Sequence, residues 1–205
     1  MNYKKFVPQE VLEKGFSVIK YLCIKTPVNN MLAGFCFEKI RTHLYVNLFF
    51  QLLFVKADCI TLKYGWRLSG RHKQGSLFLV DEENIEYSYS EVKTLLSKEV
   101  DFVASIDTLE KFYNFFKTRA RDDLRYYEGL VYTAFYLNAY DKEKMLNKFM
   151  QLWELSDRKE LYWMKEMKEG IDTLVKLDGK EELMTFFNNN IEWTLNELKL
   201  TKLLR

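Results

Sequence analysis

The chain has 205 residues, of which 48% are hydrophobic and 16% aromatic, so it can bury a sizeable core and intrinsic disorder is excluded. Its 31 basic and 29 acidic residues nearly cancel, which excludes a strong overall attraction to DNA, RNA or an anionic membrane. The cysteines Cys23, Cys36 and Cys59 have neither Cys-x-x-Cys nor metal-ligand spacing, which predicts reduced thiols.

Neither a secretory signal nor a membrane span is predicted. The apolar run near the N-terminus is interrupted by Glu10, Glu13 and Lys14, which is not typical of a signal peptide. The longest apolar stretch, residues 44–55, is well short of the roughly 20 residues that cross a bilayer. We therefore expect no membrane partner and a cytoplasmic location.

The first apolar pattern has helical spacing. Between Pro8 and Lys25 the apolar side chains follow one helical stripe, formed by Val11, Leu12, Phe16, Ile19 and Leu22. Proline at position 8 suits a first helical turn, and Pro27 would end the helix. The pattern predicts one amphipathic helix over residues 8–25.

The period then changes to two, which is typical of strands. Large apolar residues occupy every second position over residues 44–54, and the alternation resumes over residues 60–68. Lys56 to Asp58 would form the tight turn of an antiparallel hairpin. With flanking strands at residues 33–40 and 76–80, we expect an antiparallel sheet of about four strands.

From Ser88 onward the period is helical again. A glutamate follows Ser88, Asp107 and Asp157 three positions later in each case, and such capping-box pairs predict helix starts. We expect about five helices here, with a helical hairpin over residues 127–155. The fold class is predicted as α+β, with an N-terminal helix and sheet in residues 1–87 and a helical region in residues 88–205, packed as one cooperative unit.

The sequence contains no recognised catalytic or cofactor motif. No HExxH, P-loop, GxGxxG or nucleophile elbow occurs, and the histidines, His43 and His72, have no ligand pattern around them. The acidic groups Asp81–Glu83 and Asp122–Asp123 are interpreted as structural. We predict no catalytic residue, cofactor or metal. An enzyme whose site forms only in three dimensions stays open as an alternative.

The second face of the predicted hairpin is our candidate contact surface. A half-buried sheet presents side chains at fixed spacing, and the residues predicted to contact a partner are Asn47, Gln51, Lys63, Arg67 and Arg71. The basic loop from Arg67 to Lys73 offers an alternative, a nucleic-acid-associated accessory protein of phage defence. Mixed surface charge favours a protein partner over nucleic acid.

The hairpin also carries a family resemblance. Residues 50–55, followed by Asp58, Tyr64, Gly65 and Arg67, resemble a strand pair in an uncharacterised bacterial family that carries a domain-of-unknown-function label. Residues 127–155 are similar to the helical hairpin of that family. Some of its members occur in gene settings that suggest immunity to polymorphic toxins. The resemblance implies a non-enzymatic protein that binds and occludes a toxin domain.

Overall fold

The computed structural model describes residues 1–27, 29–70, 75–119 and 121–201, and its class is α+β. Contacts divide the chain into two compact units. Unit 1 comprises Met1–Gln51 and Thr61–Asp107, and unit 2 comprises Leu52–Ile60 and Thr108–Arg205. This division differs from the predicted boundary at residue 87, because the first long helix belongs with the sheet and the segment 52–60 belongs with the C-terminal helices.

Unit 1 is built on an antiparallel sheet with six strands among the described residues, more than the four expected. The strands are β1 Phe16–Ile19, β2 Leu22–Lys25, β3 Met31–Ile40, β4 His43–Leu52, β5 Tyr64–Arg67 and β6 Phe78–Leu79. They follow the order β1-β2-β3-β4-β5, and β6 pairs with the start of β4. The predicted flanking strands at residues 33–40 and 76–80 are confirmed as β3 and β6.

The predicted helix over residues 8–25 is wrong beyond residue 13. A 3₁₀ turn at Tyr3–Phe6 and a short helix α1, Gln9–Glu13, come first. Gly15, at φ +85°, then turns the chain into the left-handed region, where the helix ends. The next residues form the β1–β2 hairpin, in which Ile19 pairs with Leu22. Phe16, Val18, Ile19 and Ile24 are aromatic or β-branched and favour a strand. The helical spacing of the apolar residues therefore did not indicate a helix here.

The predicted hairpin after residue 54 is also wrong in its length. The second strand is β5, four residues long, and the connection from β4 is much longer than a tight turn. In that connection the Phe54 ring stacks on Tyr136 with centroids 5.0 Å apart and meets Phe187 at 5.4 Å. Asn190 Nδ2 donates to the Phe54 carbonyl at 3.1 Å. In the connection, Phe54 therefore serves the core of unit 2 rather than the sheet.

Helix α2, Ile85–Ser105, covers one face of the sheet in unit 1. Its Phe102 ring packs edge-on against Phe50 of β4 and lies 5.2 Å from Trp66 of β5. The helix begins three residues before the predicted start at Ser88, whose hydroxyl donates instead to the Leu79 carbonyl at 2.5 Å. The serine thus joins α2 to β6 and does not cap the helix.

Unit 2 contains five α-helices in its described part. They are α3 Leu109–Lys117, α4 Leu124–Tyr136, α5 Lys142–Leu155, α6 Tyr162–Lys176 and α7 Lys180–Glu197. Helix α4 is buried continuously from Tyr126 to Ala134, so it forms the centre of this unit. Together α4 and α5 form the predicted helical hairpin. The other predicted starts shift, because Thr108 caps α3 and α6 begins only at Tyr162.

Candidate functional site

Two of the predicted contact residues, Asn47 and Gln51, are buried, so the expectation of an open face is wrong at these positions. The Asn47 amide donates to Glu38 Oε2 at 3.2 Å and accepts from Arg67 Nε at 3.4 Å. Gln51 Oε1 accepts from the backbone N–H of Thr61 at 2.9 Å. The strand β4 is buried on both faces from Val46 to Leu52, which its simple alternation did not indicate.

Arg67 and Lys63 lie at the surface of unit 1. The Arg67 guanidinium lies 4.1 Å from the Tyr45 ring centroid and 3.5 Å from Glu38 Oε2, so it is held by neighbours on the sheet. The remaining predicted contact residue, Arg71, and the rest of the basic loop at residues 72–74 lie outside the described residues. The structure therefore retains two of the five predicted residues as surface side chains.

The thiols are poorly suited to nucleophilic chemistry. Burial raises the pKa of Cys23 and of Cys36 to about 12 each. Burial and a hydrogen bond with Asp58 also raise the pKa of Cys59, although this residue is exposed. A raised pKa leaves the thiol protonated at neutral pH, and the thiolate is the reactive form.

The acidic groups at Asp81 and Asp123 cap backbone N–H groups. Asp81 Oδ1 accepts from Asn84 N at 2.9 Å, and Asp123 Oδ1 accepts from Tyr126 N at 3.0 Å at the start of α4. Across the described ranges, no three His, Cys, Asp or Glu side chains come close enough to hold a metal ion. Within the same ranges, no helix has the length and apolar character needed to cross a membrane.

A group of large apolar side chains is exposed where α5 connects to α6 in unit 2. We call it the α5–α6 surface, and its members, with their exposed fractions, are Leu155 (84%), Leu161 (44%), Tyr162 (76%) and Trp163 (37%). Helix α6 buries a different stripe, which begins at Met164 and continues through Met167 and Ile171. Tyr162 precedes that stripe and is largely exposed, whereas Trp163 is only partly exposed and lies against Arg125 of α4.

Ions of both signs surround the α5–α6 surface and are paired with each other. Three pairs form this ionic rim, namely Lys159–Glu154 at 2.9 Å, Lys165–Glu160 at 2.7 Å and Arg158–Asp157 at 4.0 Å. Each base of these three pairs has an acid beside it, so the pairs carry no net charge, and such exposed pairs add little to stability. Glu166, which accepts a hydrogen bond from the Tyr162 hydroxyl, and Glu169 add negative charge close to Tyr162.

A partly buried ion pair, Arg125 with Glu128, lies at the edge of this surface. The Arg125 guanidinium lies 5.0 Å from the Trp163 ring centroid, and its Nη1 donates to Glu128 Oε2 at 2.9 Å. Burial raises the pKa of Glu128, although the charge and hydrogen bond of Arg125 act to lower it. Tyr132, one turn further along α4, also has a raised pKa because it is buried. Gly170 of α6 leaves room for the Tyr132 hydroxyl, since a Cβ there would collide with it.

No family model, curated protein or solved structure matches this chain. The α5–α6 surface was not anticipated from the sequence, although one signal was present. The pair Tyr162–Trp163 stands directly before the first residue of an apolar stripe, and Leu155 ends the helix before it. Large apolar residues outside a stripe are candidates for exposure, whereas the proximity of Arg125 to Trp163 has no sequence signal.

Proposed function

We propose that this chain is a non-enzymatic protein-binding protein, most concretely an immunity- or antitoxin-like protein that occludes a toxin domain in the cytoplasm. The observation that carries the proposal is the exposed α5–α6 surface. Apolar area in contact with water costs about 25 cal/mol per Å², and a Tyr or Trp side chain can bury 150–250 Å². Covering Leu155, Tyr162 and Trp163 with a partner would recover that free energy.

The ionic rim indicates the chemistry of the partner. Because the charges of the rim are already paired, they offer no net attraction to a polyanion such as nucleic acid. They are compatible with a protein surface that has an apolar centre and a mixed polar border, which is the usual anatomy of a protein interface. The affinity for a protein partner at this surface should therefore depend only weakly on salt concentration. The affinity for a nucleic acid would instead fall steeply as the salt concentration rises.

Lys63 and Arg67 are the surviving members of the contact set predicted on the sheet. Arg67 is held by Glu38, Asn47 and Tyr45, so its guanidinium has a fixed position that a partner could recognise. These contacts also satisfy the side chain without a partner. The α5–α6 surface is the stronger candidate because its apolar area stays in contact with water, most of all at Leu155 and Tyr162, although Arg125 lies over the Trp163 ring and Glu166 accepts a hydrogen bond from the Tyr162 hydroxyl.

The test compares the wild-type chain with a variant that carries Leu155→Ser and Tyr162→Ser. Each is immobilised and exposed to a lysate of the organism that encodes it, at low and at high salt. We expect a protein retained in stoichiometric amount by the wild type at both salt concentrations and lost by the variant. The gene for that protein is then expressed in a laboratory bacterium, where it should arrest growth, and co-expression of the wild-type chain should restore growth.

The matched control is Tyr87→Ser, which changes an exposed tyrosine of α2 in unit 1. The control should capture the partner and restore growth as the wild type does. Equal capture by all three proteins would place the contact elsewhere. Retention of nucleic acid in place of protein, or a captured protein that does not arrest growth, would contradict the proposed function.

A further inference from the structure

The Arg125 guanidinium at the edge of the α5–α6 surface is held in place on two sides. Its Nη1 donates a hydrogen bond to Glu128 Oε2 at 2.9 Å, and its Cζ lies 5.0 Å from the centroid of the Trp163 ring. Arginine normally loses much rotamer freedom when a ligand fixes it, and this loss opposes binding. Here the two contacts already restrict the side chain, so a ligand would meet a donor group that is oriented in advance.

Most hydrogen-bond donors of Arg125 remain available. A guanidinium has five N–H donors, and Glu128 uses one of them. Among the residues that the structure describes, Arg125 has no second hydrogen-bond acceptor, and 32% of its side chain is exposed. The planar fork of donors matches a carboxylate, which can accept two parallel hydrogen bonds from it.

Arg125 differs from the bases of the ionic rim in the burial of its acidic partner. The acids that pair with Lys159 and Lys165 are largely exposed, whereas Glu128 is buried. Burial raises the pKa of Glu128 in spite of the adjacent arginine, so its ionised form is disfavoured. The guanidinium stays charged, and the donors that Glu128 does not use can bind a second carboxylate.

From this geometry, and resting on the proposed function, we infer that Arg125 determines specificity at the α5–α6 surface by binding an acidic side chain of the partner. An apolar residue of the partner packs beside it against Trp163. The ligand class is thus an aspartate or glutamate next to a large apolar residue. A hydrogen bond to a charged group contributes about 1.5–3 kcal/mol, which corresponds to about a 10- to 100-fold change in affinity.

The probe is a displayed library of random 12-residue peptides, selected on the purified full chain. The peptides are fused to their carrier at the C-terminus, so only side chains supply carboxylates. We expect enriched peptides to carry an acid beside an apolar residue. A synthetic copy should bind about 10- to 100-fold more weakly when its acid is changed to the amide.

The deciding measurement is a double-mutant cycle with a variant that carries Arg125→Gln and Glu128→Gln. This variant removes both charges together, so that neither is left unpaired in the protein interior. On it, the acid and amide peptides should bind equally. If the double variant shows no cooperative thermal unfolding, Arg125→Lys takes its place: it keeps the charge without the planar fork, and its acid-to-amide cost should be smaller than that of the wild type.

The outcomes separate the two proposals. An acid-to-amide cost that is the same on the wild type and on the Arg125 variant would overturn the role of Arg125. Peptides whose binding is lost with Tyr162→Ser but shows no acid preference would overturn this inference and leave the proposed function in place. Enriched peptides that are insensitive to both Tyr162 and Arg125 would count against the α5–α6 surface itself.

Discussion

Replacing Glu128 by glutamine removes a buried carboxylate while it keeps the length of the side chain and an acceptor for Arg125. In the folded protein, burial raises the pKa of Glu128 from its ordinary value of 4.5, and Arg125 offsets this only in part. The folded state therefore binds the proton more tightly than the unfolded state does. By linkage, the free energy of unfolding that this group contributes is fully present below the ordinary pKa and is lost as pH rises.

The size of this pH dependence is set by the one proton that Glu128 binds more tightly in the folded state. Between about pH 4.5 and the raised pKa, the stability of the wild type relative to Glu128→Gln should fall by up to about 1.4 kcal/mol per pH unit. Above the raised pKa the difference should become constant. The neighbouring groups Tyr132 and Cys59 have raised pKa values and stay protonated in this range, and Arg125 stays charged, so they add no slope.

The assay is urea denaturation of both proteins at intervals from about pH 4 to pH 8, with the free energy of unfolding extrapolated to water. Glu192→Gln, which makes the same change at an exposed glutamate of α7, is the matched control for the substitution itself. A difference that rises with pH would refute the reasoning, because it would mean that Arg125 stabilises the ionised carboxylate by more than burial disfavours it.

Two further predictions concern packing. Gly65→Ala should lower the free energy of unfolding by roughly 2–3 kcal/mol, because a Cβ there would overlap the Leu48 carbonyl and lie 2.9 Å from Phe49 Cα. Chemical denaturation measures this loss, with Ser17→Ala, a change at an exposed residue, as the control. A loss no larger than that of the control would contradict the prediction. Asn190→Ala should lower the free energy of unfolding by about 2–3 kcal/mol, because it leaves the Phe54 carbonyl without its donor and opens a cavity. Thr194→Val should lower it by about 1 kcal/mol or less, because the Thr194 hydroxyl is 3.4 Å from the Val55 carbonyl and its hydrogen bond is weak. Thermal unfolding ranks the two variants, and the reverse ranking would be evidence against this anchoring of residues 52–60.

Local patterns predicted those elements whose partners lie nearby in the chain. The alternation over residues 44–54 predicted β4, which ends at Leu52, and the helical pattern over residues 127–155 predicted the hairpin of α4 and α5. In both cases a partner of the element, β3 for β4 and α5 for α4, is its neighbour in the chain. The same reasoning failed over residues 8–25, where the apolar residues have helical spacing but pairing of β1 with β2, and of β2 with β3, makes strands of residues 16–25.

The candidate surface was beyond the reach of the sequence for a related reason. Whether Tyr162 or Leu155 is buried depends on which other helix covers it, and periodicity within one helix does not contain that information. The pairing of Arg125 with Trp163 joins residues of two different helices. Conversely, Asn47 and Gln51 are residue types that usually lie at the surface, yet hydrogen bonds with Glu38 and Thr61 make their burial possible.

By itself, the sequence determined the α+β class, the antiparallel sheet followed by helices, and the balance of charge, since these depend on composition and on local period. Only the tertiary structure decided that residues 52–60 leave the sheet to join α7, where Asn190, 136 positions further along the chain, holds the Phe54 carbonyl. It also decided which apolar side chains remain exposed. The physical reason is that burial and hydrogen bonding depend on which residues are close in space. Residues far apart in the chain come close only when the chain folds.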